Sequence, residues 1–245
     1  MGGSVERMIK TSKEIAFLKK AARVSDSCIP IIKTALKEGV TEKELKKGVE
    51  QHIKRRGCTT AFDTLVACGE RSAMVHAKPH ATDKMIEGIG HIDFGASYKN
   101  YKSDVTIPFV VGEVGKKEKK IVAATEAAYE LAVKSIKIGM PCWRLHEIVN
   151  NLLKKRGFYM IHPMGHGLGK KIHELPYIGK PRKRPRGWKK RWWEKLKKMV
   201  FQEGMVFTIE PAVYVEGVGG CRLENDVLLT KKGPQMLTHA RLIKI

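Results

Sequence analysis

The first forty residues follow the hydrophobic spacing of an α-helix. One apolar face runs through Ile15, Leu18, Ala22, Ser25 and Ile29. A long amphipathic helix is therefore predicted from Ser12, its expected N-cap, to Lys37. Pro30 predicts a kink or a break within this helix, and Gly39 follows its end.

The helical pattern recurs further along the chain. Thr41 and Glu44 have the spacing of a capping box, which starts a second helix that ends at Gly57. Two more helices are predicted over residues 116–138 and 142–157, each closed by a glycine. Two pairs of helices therefore alternate with two regions that carry shorter apolar runs.

The shorter runs predict β-structure. Residues 58–69 predict a strand and a turn, and residues 67–79 predict a loop that carries His76. Residues 91–111 contain two apolar runs separated by a turn region rich in Gly, Ser, Asn and Lys, which predicts two paired strands. On the sequence pattern alone, His76 is an ordinary polar loop residue.

Each of the two paired strands carries an aspartate. Asp93 and Asp104 lie eleven residues apart. Because side chains alternate between the faces of a strand, both carboxylates can point to one side of the pair. Two converging carboxylates repel each other unless a shared proton or a metal ion lies between them. The alternative interpretation is two turn aspartates that face solvent.

Three later segments carry the other ligand types of a metal site. His166 with His173, then Glu210, then Glu224 stand in apolar, β-rich surroundings, where an uncompensated charge is costly. An oxygen-rich set with one imidazole suits Mn, Co, Fe(II) or Zn in a reactive site, whereas structural zinc prefers cysteine and histidine. Bridging carboxylates hold two such ions about 3.5–4 Å apart in two-metal hydrolases.

Composition restricts the class of protein. The 245 residues, without an evident linker, predict one domain over residues 1–245. No apolar run approaches the roughly 18 residues of a membrane span. The first seven residues lack the apolar core of a secretory signal. The five cysteines form no CxxC pair, which favours a reduced compartment over a disulfide framework. A cytoplasmic protein without membrane contact is therefore expected.

Positive charge is both general and locally concentrated. The formal net charge is +22. The basic segment, residues 180–198, begins at Lys180, ends at Lys198, and contains eleven Lys or Arg, one Glu and three of the four tryptophans. Its first half is predicted to be extended, and a short basic helix can start at Trp188. Three roles stay open for it: a flap over the metal site, a contact with RNA, the ribosome or another polyanion, and an oligomer contact such as a homodimer.

The candidate ligands stand in six motifs that follow one another along the chain. These motifs are I-D-F-G-A, S-D-V-T, G-H-G-L-G, H-E-L-P, T-I-E-P and R-L-E-N-D. Together they resemble the pita-bread metallopeptidases, the family of methionine aminopeptidase, Xaa-Pro aminopeptidase and prolidase, from about Ile9 to the C-terminus. The resemblance implies an α+β fold of pseudo-twofold symmetry, with flanking helices and a curved antiparallel sheet around the metals. The basic segment lengthens the family pattern.

The resemblance also implies a role for each site residue. Two divalent metal ions would be bound by five ligands, Asp93, Asp104, His166, Glu210 and Glu224. Glu210 would also carry a proton to the leaving nitrogen. His76 and His173 would hydrogen-bond the carbonyl of the scissile bond. Arg222 would pair either with a ligand carboxylate or with the C-terminal carboxylate of the peptide substrate.

Motifs and length point to different branches of this family. Glu210 and Glu224 are fourteen residues apart, and Arg222-Leu-Glu224 has the prolidase form. Prolidases usually carry an additional N-terminal domain. The length of this chain instead resembles that of a methionine aminopeptidase. Since the motifs contact the site, a metal-dependent exopeptidase that hydrolyses the N-terminal bond of Xaa-Pro peptides is expected. Methionine aminopeptidase is the alternative.

A third interpretation is a protein that binds without catalysing. Some relatives among histone chaperones and ribosome-associated factors have this fold and have lost metal ligands. All five ligand positions and both accessory histidines, His76 and His173, are present in this chain. The motifs therefore favour an enzyme over a polyanion- or ribosome-binding module.

Overall fold

The computed structural model describes residues 8–180 and 194–245. The long helices in these ranges are α1 (Ser12–Asp26), α2 (Ile29–Glu38), α3 (Glu42–Arg55), α4 (Lys116–Ser135) and α5 (Cys142–Lys155). The strands of the first half are β1 (Thr59–Thr60), β2 (Leu65–Cys68), β3 (Gly88–Phe94), β4 (Ala96–Tyr98), β5 (Tyr101–Lys102) and β6 (Val105–Val111). Those of the second half are β7 (Gly165–Gly167), β8 (Glu174–Ile178), β9 (Val206–Ile209), β10 (Ala212–Val215), β11 (Gly219–Arg222), β12 (Asn225–Thr230), β13 (Gly233–Met236) and β14 (Ile243–Lys244).

The first helix begins at Ser12, as predicted, but its N-cap lies one residue earlier than expected. Thr11, and not Ser12, is the N-cap of α1. The Glu14 N–H donates to the Thr11 hydroxyl at 3.3 Å, and the Glu14 carboxylate accepts the Thr11 N–H at 2.8 Å. The prediction of Ser12 was wrong because the residue three positions after it is Ile15, which cannot complete a capping box.

The predicted long helix consists of two helices. Helix α1 ends at Asp26 and α2 begins at Ile29, with Pro30 in its first turn. Proline has no N–H to donate to a preceding turn, so it starts a helix more readily than it continues one. Helix α3 begins at the predicted capping box of Thr41. Helix α4 ends at Ser135, three residues before the predicted end, because Ile136 is extended.

The strands form two main sheets. The first has the order β14-β6-β3-β2, in which β14 and β6 are parallel and the other two neighbouring pairs are antiparallel. The second is antiparallel throughout and has the order β13-β12-β9-β7-β8. An isolated bridge between Thr106 and Glu224 joins the two. The expected curved sheet is thus two hydrogen-bonded sheets that meet at this bridge, beside the small sheets β1-β4-β5 and β10-β11.

Each pair of helices covers the strands of its own half. One buried core joins α2 and α3 to the first sheet through residues that include Ile32, Leu45, Val49, Ile92 and Ile107. A second joins α4 and α5 to the second sheet through residues that include Ile121, Leu145, Val149, Phe207 and Val227. Each such side chain stabilises the fold by about 1.5–3 kcal/mol when fully buried. Both cores hold the meeting point of the sheets in place.

The expectations for the basic segment fall mostly outside the described residues. The predicted extended first half lies in residues 181–193 apart from Lys180. The predicted helix begins at Trp188, which is also in this range. Its far end, residues 194–198, is described, and there Leu196 is buried in the second core, as is Met199 just after the segment. In the described parts of the chain, no helix has both the length and the apolar character needed to cross a membrane.

Candidate active site

The two aspartates of the first half lie on the same face of the first sheet. Asp93 on β3 is paired with Thr106 on β6. Asp104 stands two residues before Thr106, so the alternation of side chains directs both carboxylates to one side. The structure thus brings together the aspartates that the sequence paired.

The second half supplies three further side chains at the same point. In the ladder between β9 and β12, Ile209 is paired with Asn225, and this register continued by one residue sets Glu210 opposite Glu224. His166 is the central residue of β7, and its N–H donates to the Thr208 hydroxyl at 3.2 Å. The bridge between Thr106 and Glu224 then brings these residues beside the aspartates.

Two glycines allow His166 to lie this close to its neighbours. A Cβ atom at Gly165 would overlap the carbonyl oxygen of Thr208, and one at Gly167 would overlap the carbonyl oxygen of Leu175. Only glycine permits strands β7, β8 and β9 to approach at this distance. The G-H-G sequence is therefore a requirement of packing around His166.

The ligand atoms of the cluster are close enough to share an ion. Ligand atoms of Asp104, His166 and Glu224 lie within 4.8 Å of one another. His166 Nε2 is 3.7 Å from Asp104 Oδ2 and 3.4 Å from Glu210 Oε1. The Thr106 hydroxyl donates to Glu224 Oε2 at 2.7 Å, and the Thr208 hydroxyl to Glu210 Oε1 at 3.4 Å.

The electrostatics of the cluster call for a cation. Burial, and next the Glu224 charge, raise the pKa of both Asp104 and Glu210 well above the ordinary range. Burial, and next the Asp93 charge, raise the pKa of Glu224 to about 7. Burial, and next His173, lower the pKa of His166 to about 4, so its imidazole is neutral and free to act as a ligand.

An unpartnered oxygen supports the same conclusion. In the described part of the chain, Asp93 Oδ1 is buried and has no hydrogen-bond partner, while Oδ2 accepts from Arg222. A buried carboxylate oxygen without a donor is costly unless a cation contacts it. The donor set of four carboxylates and one neutral imidazole therefore fits divalent ions of the kind that the motifs imply.

Arg222 lies behind the carboxylates. Its side chain is only 3% exposed, and NH2 donates to Asp93 Oδ2 at 2.6 Å. Nε donates to the Thr106 hydroxyl at 2.9 Å, which in turn donates to Glu224. NH1 donates to the Tyr214 hydroxyl at 2.6 Å and to the Val75 carbonyl at 3.3 Å. Of the two partners considered for Arg222, the structure shows the carboxylate of Asp93.

The cluster forms the floor of a cavity of about 860 Å³. The eight residues singled out in the sequence all line it: His76, Asp93, Asp104, His166, His173, Glu210, Arg222 and Glu224. The His173 ring lies 4.3 Å from the His166 ring, centroid to centroid, and His76 is on the wall formed by the loop after β2. Burial, and next His76, lower the pKa of His173.

Two residues of the cluster were missed in the sequence. His162 lines the cavity, with Nδ1 3.6 Å from Glu210 Oε2 and Nε2 3.3 Å from the Tyr214 hydroxyl. Burial, and next Arg222, lower the pKa of His162 to about 4. His162 stands four residues before His166, and Tyr214 four after Glu210. Their closeness to the motifs in sequence was the available signal. It does not show which residues beside a motif direct their side chains into the cluster.

Comparison with known proteins assigns the fold. Over 237 residues the chain is 37% identical to the Xaa-Pro dipeptidase of Pyrococcus furiosus, covering 95% of this chain and 63% of that protein. The solved prolidase from P. furiosus superposes with a TM-score of 0.82 at 36% identity, covering 96% of this chain and 66% of that one. The X-Pro aminopeptidase from Thermotoga maritima gives 0.83 at 33% identity, over 98% of this chain and 65% of that one.

These similarities confirm the predicted pita-bread fold over almost the whole chain. The chain spans less than two thirds of the length of the curated relatives that it matches. The family model described as metallopeptidase family M24 matches residues 16–231. With this match and the convergence of the six motifs on one cavity, the chain belongs to metallopeptidase family M24.

Proposed function

We propose that this chain is a divalent-metal-dependent exopeptidase that hydrolyses the N-terminal bond of Xaa-Pro peptides. The observation that carries the proposal is the buried cluster of Asp104, His166, Glu210 and Glu224, completed by an Asp93 oxygen that has no hydrogen-bond partner among residues 8–180 and 194–245. Similarity to proteins named Xaa-Pro dipeptidase and X-Pro aminopeptidase supports the substrate class.

The five predicted ligands would hold two divalent ions in this cluster. Bound divalent ions supply Lewis acidity at a carbonyl oxygen and lower the pKa of water toward neutrality. Arg222 keeps Asp93 and, through Thr106, Glu224 in place for binding. Supporting hydrogen bonds of this kind fix the orientation of ligand carboxylates.

Glu210 is the proposed proton carrier of the reaction. Its Oε1 faces His166 Nε2 and its Oε2 faces His162 Nδ1, at 3.4 and 3.6 Å. With its two oxygens directed at two histidines of the cluster, Glu210 lies where the attacking water would be held. It can therefore take a proton from the attacking water and deliver it to the leaving nitrogen.

His76 and His173 are the proposed donors to the substrate carbonyl. Both line the cavity above the cluster. A neutral imidazole N–H can donate to the carbonyl oxygen and stabilise the negative charge that develops on it. The apolar part of the wall, which includes Phe62, Leu65, Ile172 and Leu175, offers a dry surface for a proline ring.

Metal dependence is tested by chelation and replacement. Activity should be lost with chelator and return with Mn²⁺ or Co²⁺, and Asp104→Asn should lose bound metal and activity together. Asp83→Asn is the matched control, because Asp83 is an exposed partner of Lys43. Full activity in metal-stripped protein would contradict the proposal.

The substrate class is tested with a peptide panel. Ala-Pro, Ala-Pro-Pro and Met-Ala-Ser peptides are assayed in parallel on metal-loaded protein, and cleavage before proline is expected. Release of methionine without Xaa-Pro cleavage would favour a methionine aminopeptidase. Tight metal binding without hydrolysis of any peptide would favour the binding module.

A further inference from the structure

The loop that carries His76 is closed at its base by a residue outside the cavity. Residues 69–82 leave β2, form a 3-10 helix (Gly69–Ala73) and place Val75, His76 and His80 on the cavity wall. His76 itself is exposed, so its position depends on the backbone that carries it. The importance of that position rests on the proposed function of His76.

Glu42, the first residue of α3, contacts both ends of this loop with one carboxylate. At the start of the loop, Oε1 accepts the Cys68 N–H at 2.9 Å and the Arg71 Nε–H at 3.3 Å. At the return, Oε2 accepts the Thr82 N–H at 2.9 Å and the Thr82 hydroxyl at 2.6 Å. The side chain of Glu42 is completely buried.

Backbone hydrogen bonds strengthen the same junction. The Glu42 N–H donates to the Lys84 carbonyl and the Lys43 N–H to the Thr82 carbonyl, both at 3.0 Å. The first N–H groups of a helix have no partner within it, and here the returning loop supplies carbonyl oxygens. Arg71 also reaches across the loop, where NH2 donates to the Pro79 carbonyl at 2.9 Å.

The middle of the loop is attached to the strand that carries Arg222. The Gly220 N–H donates to the Ser72 hydroxyl at 2.8 Å, and Arg222 NH1 donates to the Val75 carbonyl. The loop is thus fixed on one side by Glu42 and on the other by β11. His76 lies next to the second attachment and between the two ends that Glu42 joins.

We propose that Glu42 is a positioning residue, which holds His76 at the substrate by joining the two ends of its loop. A carboxylate suits this position because it only accepts hydrogen bonds, and all the groups that face it are donors. In one orientation, the amide NH₂ of the isosteric Glu42→Gln variant faces the Cys68 N–H and the Arg71 Nε–H. In the other, it faces the Thr82 N–H, although the Thr82 hydroxyl can turn to accept from it. Either orientation therefore removes at least one backbone hydrogen bond between residue 42 and an end of the loop, while the size of the side chain stays the same.

The first measurement is hydrogen exchange on metal-free and metal-loaded protein. Glu42→Gln should speed exchange across residues 68–82 by about tenfold or more, the factor that the loss of a hydrogen bond to a charged group corresponds to. Glu44→Gln is the matched control, because Glu44 lies two residues away in the exposed capping box, where its hydrogen bonds are to Thr41. Unchanged exchange in Glu42→Gln would overturn the proposal.

The second measurement is a double-mutant cycle on kcat/KM for Ala-Pro. Glu42→Gln alone should lower kcat/KM by about ten- to a hundredfold through misplacement of His76. In a His76→Ala background, the same change should cost less than about twofold, because the group that it positions is gone. Equal losses in both backgrounds would show that Glu42 does not act through His76, and would contradict the proposal.

A milder variant covers the case in which Glu42→Gln does not fold. Thr82→Val removes one donor and leaves the other three hydrogen bonds of Glu42, so both effects should appear in the same direction and smaller. Absence of both effects in a folded Thr82→Val protein would also count against the proposal. The exchange measurement needs no activity: a wild-type protein inactive on every peptide would refute the proposed function, while exchange would still decide whether Glu42 fixes the loop.

Discussion

At the scale of single residues, Arg222 organises the candidate ligands from behind. Its planar guanidinium divides its donors among Asp93, Thr106, Tyr214 and the Val75 carbonyl. Removal of water from the guanidinium is compensated by these partners and by the surrounding carboxylates. A lysine at this position would keep the charge and lose the fixed geometry of the donors.

Arg222→Lys is therefore expected to weaken metal binding. Loss of a supporting hydrogen bond to a ligand commonly costs about 10- to 100-fold in metal affinity. The measurement is a competitive metal titration, with Tyr214→Phe as a control that removes one acceptor of Arg222 and keeps the Asp93 contact. Unchanged metal affinity in Arg222→Lys would show that the guanidinium does not orient Asp93.

The raised pKa of Glu224 predicts how the stability of the metal-free protein depends on pH. Its pKa is raised from 4.5 to about 7 by burial and then by Asp93, so the folded state binds this proton more tightly than the unfolded state. The stability from this group is complete below the unfolded pKa and is lost as pH rises through the folded pKa. His162 and His166, with pKa values lowered to about 4, act in the opposite direction.

Comparison with Glu224→Gln isolates this effect from the histidines. From about pH 5 to about pH 8, the free energy of unfolding of metal-free wild type should fall relative to the variant, because the folded wild type gives up the proton that burial favours on Glu224. Urea unfolding of chelator-treated protein at several pH values measures it. Glu216→Gln, at an exposed site, should show no such trend. A pH-independent difference for Glu224→Gln would contradict the expectation.

At the scale of elements, strand spacing decides the geometry around His166. Strands β7, β8 and β9 lie together only because Gly165 and Gly167 have no side chain. The backbone carbonyls that occupy this space belong to neighbouring strands and cannot move like the end of a flexible side chain. The position of His166 therefore depends on glycine at positions 165 and 167, where even the methyl group of alanine would overlap neighbouring backbone.

Gly167→Ala should destabilise the protein, by about 1–3 kcal/mol for an overpacked site, and should displace His166. Gly48→Ala is the matched control: Gly48 lies within α3, and a Cβ there meets no atom within 4 Å. That change should raise stability by about 0.5–1 kcal/mol, because alanine favours the helix. Thermal unfolding and metal titration of both variants test the pair, and equal stabilities would refute the packing argument.

At the scale of the whole molecule, the chain has 47 Lys and Arg against 25 Asp and Glu, and ion pairs within the chain cannot neutralise the resulting net charge of +22. Part of the excess lies on the first turns of α4, where Lys116, Lys117, Lys119 and Lys120 are exposed. Another part lies in residues 181–193, outside the described ranges. Comparison of the α4 lysines with the cations of residues 181–193 can separate two causes of polyanion binding, the net charge of the whole chain and a local contact.

Neutralising Arg182, Lys183, Arg184 and Arg186 should weaken single-stranded RNA binding more than neutralising the four α4 lysines. If all four cations contact phosphates, the slope of log K against log salt should flatten by about 3, at about 0.7 per contact. Both variants change the net charge equally, so a general charge effect would give equal losses. Fluorescence anisotropy across a salt series measures both, and equal losses would rule out a local contact.

The sequence by itself determined where most of the helices lie and which five side chains would meet as candidate ligands. The capping box at Thr41, the break before Pro30 and the ends of α3 and α5 depend on residues within a few positions of one another. Asp93 and Asp104 converge because both the alternation of strands and the short turn between them are local properties. Ser12 was a near miss, since two adjacent residues can both cap a helix and the glutamate three positions on decides between them.

Only the tertiary structure decided what surrounds those ligands. The contact of Arg222 with Asp93 spans 129 positions, and that of Tyr214 with His162 spans 52. The junction of Glu42 with Thr82 spans 40. No local pattern encodes such pairs, because they follow from how the two sheets meet at Thr106 and Glu224 and how the helices press on them. A motif names the residues that can react, whereas long-range packing determines which neighbours orient them.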